Sequence, residues 1–159
     1  MKLLLISNST NAGEAYLAHP KEQIGKFLKG VRHVAFVPYA AVTLSYDEYE
    51  EKVRKRFLDF DIGVDSIHHT DDPAGALRAA EAIVVGGGNT FYLLKQLQDL
   101  GLVDVIRERV SEGVPFVGWS AGSNVACPTI CTTNDMPIVE PRSFHAVGLV
   151  PFQINPHYL

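Results

Sequence analysis

Gly118-Trp119-Ser120-Ala121-Gly122 has the spacing G-x-S-x-G, which sets a serine on a sharp turn between a strand and a helix. On such a corner the hydroxyl stands clear of the sheet and can attack a carbonyl, while the glycines let neighbouring elements approach. The amide of Ala121, at the start of the following helix, would face a developing oxyanion. An ordinary tight turn can carry the same five residues, so the flanks matter. Residues 114–117 are apolar and residues 123–126 are compatible with a helix. A second turn, Gly86-Gly87-Gly88-Asn89-Thr90, spends backbone entropy on three successive glycines. A dinucleotide or phosphate cradle would want G-x-G-x-x-G or a G-K-[ST] ending, and neither is present. A close structural approach and a second oxyanion donor remain, the donor being the Gly88 amide across the switch point of a sheet. Asn89 would hold this turn or touch a bound polar group.

A serine hydroxyl needs a base and a partner to orient that base. His157 follows residues 149–154, which read as a strand, and so falls at a carboxyl end, where sites in open α/β sheets form. His68 and His69 end another strand and remain an alternative, His145 lies in a polar loop, and His19 and His33 lie away from that face. For the acid, Asp135 stands between serine and histidine in chain order, an order also used by α/β-hydrolases. Glu140 and a carboxylate beyond Leu159 compete with it. His68-His69 beside Asp71 and Asp72 offers metal-ligand types, but neighbours on a strand point to opposite faces. The expectation is therefore no metal, with Asp71-Asp72-Pro73 as a helix start. Cys127 and Cys131 are the sole cysteines and cannot complete a zinc set.

These residues need a frame. Apolar runs at 3–6, 34–37, 83–85 and 114–117 are continuous rather than alternating, as in strands covered on both faces. A further strand is expected at about 64–67. Helical patterns lie between them. One opens at Pro20 and stops at Gly30, and another follows Ser45, where Glu48 completes a capping box and Tyr49, Val53 and Phe57 recur every fourth residue. A third starts at Asp72-Pro73, and two more cover 91–97 and 102–110. The alternation predicts a mostly parallel sheet with right-handed crossovers, in one α/β domain over residues 1–159.

Composition limits the partners. The chain has 159 residues, 47% hydrophobic and 20% charged, enough to bury a core without crosslinks. The net charge of -4 gives no bulk attraction for nucleic acid or an anionic membrane. The apolar start stops after residue 6, short of a secretory signal, and no run is long enough to span a bilayer. A cytoplasmic protein is expected.

Six stretches, in order along the chain, resemble peptidase E, the bacterial family of α-aspartyl dipeptidases. They are residues 3–10 (LLLISNST), 36–40 (FVPYA), 84–91 (VVGGGNTF), 118–122 (GWSAG), 132–139 (TTNDMPIV) and 153–157 (QINPH). The resemblance implies a three-layer αβα fold of the class I glutamine amidotransferase-like type, with a flavodoxin-like core and serine in place of the usual cysteine. It implies serine-dependent release of an N-terminal aspartate from Asp-Xaa dipeptides without a cofactor. Carried onto this chain, Ser120 is the nucleophile, His157 the base, and the amides of Gly88 and Ala121 the oxyanion donors. The acid is Asp135 or a glutamate beyond this chain. An aspartate side chain also asks for a cation, for which Arg142 is the candidate unless it faces solvent, with Thr132, Thr133 and Asn134 as further donors. Asp135 or Glu140 would serve the substrate ammonium, and residues 40–46 would roof the pocket. Family members continue past the histidine, so the chain matches about the first two-thirds of one, and the missing C-terminal segment is a conceivable second polypeptide. A monomer or a homodimer fits. Two other readings stand beside this one: a cyanophycinase-like hydrolase of other aspartyl peptides, and a non-catalytic homologue.

Overall fold

In a computed structural model describing residues 1–157, five short strands pair in parallel. They are β1 (Leu3–Ile6), β2 (His33–Val37), β3 (Gly63–Ser66), β4 (Ile83–Val85) and β5 (Phe116–Trp119), in the order β1-β5-β4-β2-β3. Successive side chains of a strand point to opposite faces, and both faces are covered. Val34, Phe36, Val84, Val117 and Trp119 pack under α1 (Lys21–Phe27) and α2 (Tyr46–Phe57). Ala35, Val37, Ile83, Val85 and Phe116 pack under α3 (Pro73–Arg78), α4 (Thr90–Asp99) and α5 (Val103–Ser111). This is the expected three-layer αβα arrangement, and it explains why the strands read as continuous apolar runs.

Three helices begin at side-chain caps, two of them, Ser45 and Asp72, where the sequence places them. Ser45 Oγ accepts from Glu48 N at 3.1 Å, and Asp72 Oδ1 from Gly75 N at 2.9 Å. Asn89 Oδ1 accepts from Tyr92 N at 3.1 Å and starts α4. Each cap satisfies one orphan donor of a first turn. Asp61, in the left-handed region at φ 57°, turns the chain from the end of α2 toward β3.

Two expectations differ from the structure. Residues 149–154 read as a strand but form none among the described residues. The amides of Leu149 and Val150 both donate to Ala126 O, at 2.7 and 3.3 Å, and the next residue, Pro151, has no N–H to continue a ladder. The segment clamps the end of α6 (Ala121–Asn124) instead. His68 and His69 do not lie on β3. They form a 3-10 turn, Ile67–His69, just beyond it.

Candidate active site

β5 lies between β1 and β4, and Ser120 is the first residue past its end. Its backbone has φ 55° and ψ -113°, a conformation that costs a non-glycine residue roughly 1–3 kcal/mol. Three bonds hold the corner there. Ser120 N donates to Ile6 O at 2.9 Å, and the buried Ser123 hydroxyl spans Ile6 O and Gly118 O at 2.7 and 2.8 Å. A Cβ at Gly122 would run into the carbonyl of Val85 on β4. The last glycine of the G-x-S-x-G therefore brings α6 down onto the sheet.

The glycine turn after β4 meets this corner from the side. Val85 pairs with Gly118 across the β4–β5 ladder, so the next residues face Ser120. A Cβ on Gly87 would sit 2.9 Å from Ser120 Cβ. Gly88 takes φ +144°, and a Cβ there would collide with Ala40 O, which accepts from Asn89 N at 2.8 Å. Both features require glycine. Tyr49 of α2 braces the two turns, donating from its buried hydroxyl to Gly87 O at 3.0 Å and accepting from Trp119 Nε1 at 3.2 Å. Burial, opposed by hydrogen bonds including that from Trp119, leaves its phenol above the usual tyrosine range.

His157 completes the cluster. Its Nε2 lies 2.7 Å from Ser120 Oγ, and its backbone N donates to Ser7 Oγ at 2.8 Å. His157 also lies in the left-handed region, at φ 61°. Ser120, His157, Gly87, Gly88 and Asn89 line one cavity of about 440 Å³, which residues 41–44, part of the expected 40–46 roof, also line. Among the described residues, the amides of Gly88 and Ala121 donate to no protein acceptor.

The remaining predicted residues are placed as follows. Asp135 Oδ2 accepts from Thr90 N at 2.8 Å and from Thr90 Oγ1 at 2.6 Å. It sits on the positive end of α4, where a carboxylate is favoured, and no hydrogen bond among the described residues joins it to His157. Thr133 Oγ1 bonds Thr90 Oγ1 at 3.1 Å, and Thr132 Oγ1 donates to Ile154 O. Asn134 Nδ2 donates to Asn155 Oδ1 at 3.1 Å. The Asn89 amide is used at both ends, donating to Met136 O at 2.8 Å as well as capping α4. Arg142 is not brought to the serine. It pairs with Asp99 Oδ1 at 3.3 Å at the far end of α4, and the rise per residue puts that end about 13 Å from Thr90. Glu140 is exposed.

Sequence reasoning missed Lys52. Among the described residues it is the one lysine or arginine that lines the cavity, and its Nζ sits 4.3 Å over the Tyr16 ring. Its position on the polar face of α2 reads as solvated surface, and only the tertiary placement reveals it.

Residues 3–159 match the family described as Peptidase family S51. The chain is 56% identical over 158 residues to Peptidase E of Nostoc sp. (strain PCC 7120), covering 99% of this chain and 65% of that protein. It is 49% identical to Peptidase E of Salmonella newport (strain SL254), covering 99% and 69%. The chain thus spans about two-thirds of the length of these curated relatives. A crystal structure of a putative peptidase E protein from Listeria monocytogenes EGD-e superposes with a TM-score of 0.76 at 26% identity, over 95% of this chain and 76% of that one. A peptidase from an acI-B1 Actinobacterium shares the fold, with a TM-score of 0.66 at 19% identity, over 92% and 64%. A strained serine corner, a histidine within hydrogen-bond reach and a match along nearly the whole sequence agree: the chain belongs to peptidase family S51.

Proposed function

We propose that the chain carries the reactive centre of a serine-type dipeptidase that hydrolyses Asp-Xaa dipeptides through an acyl-enzyme on Ser120. The observation that carries this reading is the 2.7 Å contact between Ser120 Oγ and His157 Nε2 at a strained corner. His157 takes the hydroxyl proton as Ser120 attacks the peptide carbonyl. The Gly88 and Ala121 amides receive the oxyanion, and loss of one such donor costs about 3–4 kcal/mol in a comparable protease. Protonated His157 then donates to the leaving amine. Water repeats the cycle on the aspartyl ester, activated by the same imidazole.

The substrate class draws support from the cavity. Its volume of about 440 Å³ suits a small ligand rather than an extended polypeptide, and the 41–44 loop limits its reach. Lys52 takes the role of cation for the aspartate side chain, which Arg142 is too distant to fill. Asp135 acts through α4, holding the helix that follows the glycine turn. Asp-Leu hydrolysis tests the whole reading. Wild type should turn over, Ser120→Ala should lose at least about 10⁴-fold in kcat, and a serine-directed phosphonate should label wild type alone. Hydrolysis that survives Ser120→Ala would overturn it.

A further inference from the structure

We propose that Asp47, His68 and His69 form a binding site for a borderline divalent transition-metal ion such as Zn²⁺, tying the first turn of α2 to the end of β3. On a strand, adjacent histidines diverge. In the 3-10 turn Ile67–His69 they do not: the two rings lie 4.0 Å apart between centroids, tilted by 36°. Both Nε2 atoms turn toward one oxygen, Asp47 Oδ1, at 2.7 Å from His68 and 3.7 Å from His69. One ligand atom from each residue falls within 4.8 Å of the others.

Two imidazoles and a carboxylate are a donor set that zinc accepts, at about 2.0–2.1 Å per ligand, which spaces tetrahedral ligands about 3.3 Å apart. The His69–Asp47 spacing is close to this. The His68–Asp47 pair has to open by about half an ångström, and Asp47, with 76% of its side chain exposed, is free to move.

The surroundings orient the set. His68 Nδ1 lies 2.5 Å from Ser66 Oγ. With Ser66 accepting from Nδ1–H, the Nε2 lone pair is left for the ion, the role that outer partners play around metal-bound histidines. Buried Glu50 is fixed by Ser66 N at 2.8 Å and by Arg54 at 3.0 Å. Its Oε1, 3.2 Å from His69 Nε2, adds negative charge and can accept from a water in the fourth position.

None of the three ligands lines the Ser120 cavity. They adjoin its roof through Tyr46, whose ring packs on His68 at 5.4 Å. The ion would anchor α2 and the loop leading into it, and would take no part in the peptide cleavage.

Calorimetric titration of the chelator-treated protein with Zn²⁺ tests this. Wild type should bind one equivalent with micromolar affinity, and Tm should rise by several degrees. His69→Ala and Asp47→Asn alter exposed side chains and should fold, which circular dichroism checks. Each should weaken binding at least tenfold and remove the Tm shift. His157→Ala should bind as wild type does. Binding no tighter than millimolar, equal binding in His69→Ala, or binding lost in His157→Ala would each overturn the proposal.

Discussion

Tyr49 joins the two glycine-bearing turns through a single hydroxyl. Tyr49→Phe keeps the ring, stacked edge-on against Phe36 at 5.0 Å, but strands the Trp119 N–H and the Gly87 carbonyl. Such unpaired groups cost about 1–3 kcal/mol each. The expected result is a lower urea midpoint with an unchanged slope, and a kcat that falls while KM hardly moves, since the oxyanion donor beside Gly87 is displaced. A fall in KM affinity alone would assign Tyr49 to substrate binding. Lys52 makes the opposite prediction. Lys52→Met keeps the stem over Tyr16 and removes the charge, a charged hydrogen bond worth about 1.5–3 kcal/mol. KM for Asp-Leu should rise about 10- to 100-fold, with Asn-Leu unaffected. Equal losses on both substrates would remove Lys52 as the reader of the carboxylate. At this scale Ser120 and the glycine turns are legible because their spacing is local, whereas His157 is placed by a strand at 149–154 that does not form, and by the family resemblance. Lys52 and the Tyr49 hydroxyl belong to a helix whose period shows only which face is buried.

Among elements, β2 is held at its start by Glu81, which precedes β4. Glu81 Oε2 accepts from Arg32 N at 2.7 Å and His33 N at 3.3 Å, and Oε1 accepts from the Arg32 guanidinium at 3.2 Å. The Arg32 backbone N–H first, then that of His33, hold this carboxyl below its ordinary value. A depressed carboxyl contributes stability above its unfolded pKa, and that contribution is lost as pH falls through the folded one. Glu81→Gln should therefore lower Tm at pH 7, and the gap from wild type should close on acidification below about pH 4. A gap independent of pH would mean that the contact acts by shape alone. The starts of α2 and α3 were legible because Ser45 and Asp72 are caps by type and position, whereas the role of Asn89 as cap of α4 was not read. Residues 149–154 were not legible: Leu149, Val150, Phe152 and Ile154 have the hydrophobicity of a strand, yet the amides of Leu149 and Val150 go to Ala126 O and that of Ile154 to Cys127 Sγ. Hydrophobicity does not fix pairing: amides already taken by Ala126 and Cys127, and Pro151 with none to give, leave no ladder to build. Arg142 misled in a related way, since proximity in sequence to Asp135 and His157 hid the length of α4 between them.

Across the whole molecule, order is concentrated in the sheet. Val84 and Val117 sit on central strands with both faces covered, whereas residues 132–145 hold few backbone bonds and several exposed side chains. Native-state hydrogen exchange should give β4 and β5 the highest protection, with 132–145 opening first. Uniform protection would contradict that gradient. A thiol reagent should separate the cysteines in the same sense. Cys131 is exposed and should react, while Cys127 is buried and its thiol is pushed up by that burial, so it should resist until the chain opens. The layered fold was readable because continuous apolar runs alternate with capped helices. The order of strands was not, because nothing in a run names its neighbour.

The bond from His157 N to Ser7 Oγ joins residues 150 positions apart. Synthesis proceeds from the N-terminus, so the strained corner of Ser120, with its two open amides, is complete in sequence long before its base is made. On the proposed chemistry, a nascent chain short of residue 157 carries Ser120 without its base, which arrives only when the segment bearing His157 returns to Ser7 at the end of β1. Chain order would therefore delay that chemistry until residue 157 has been made and has docked on Ser7.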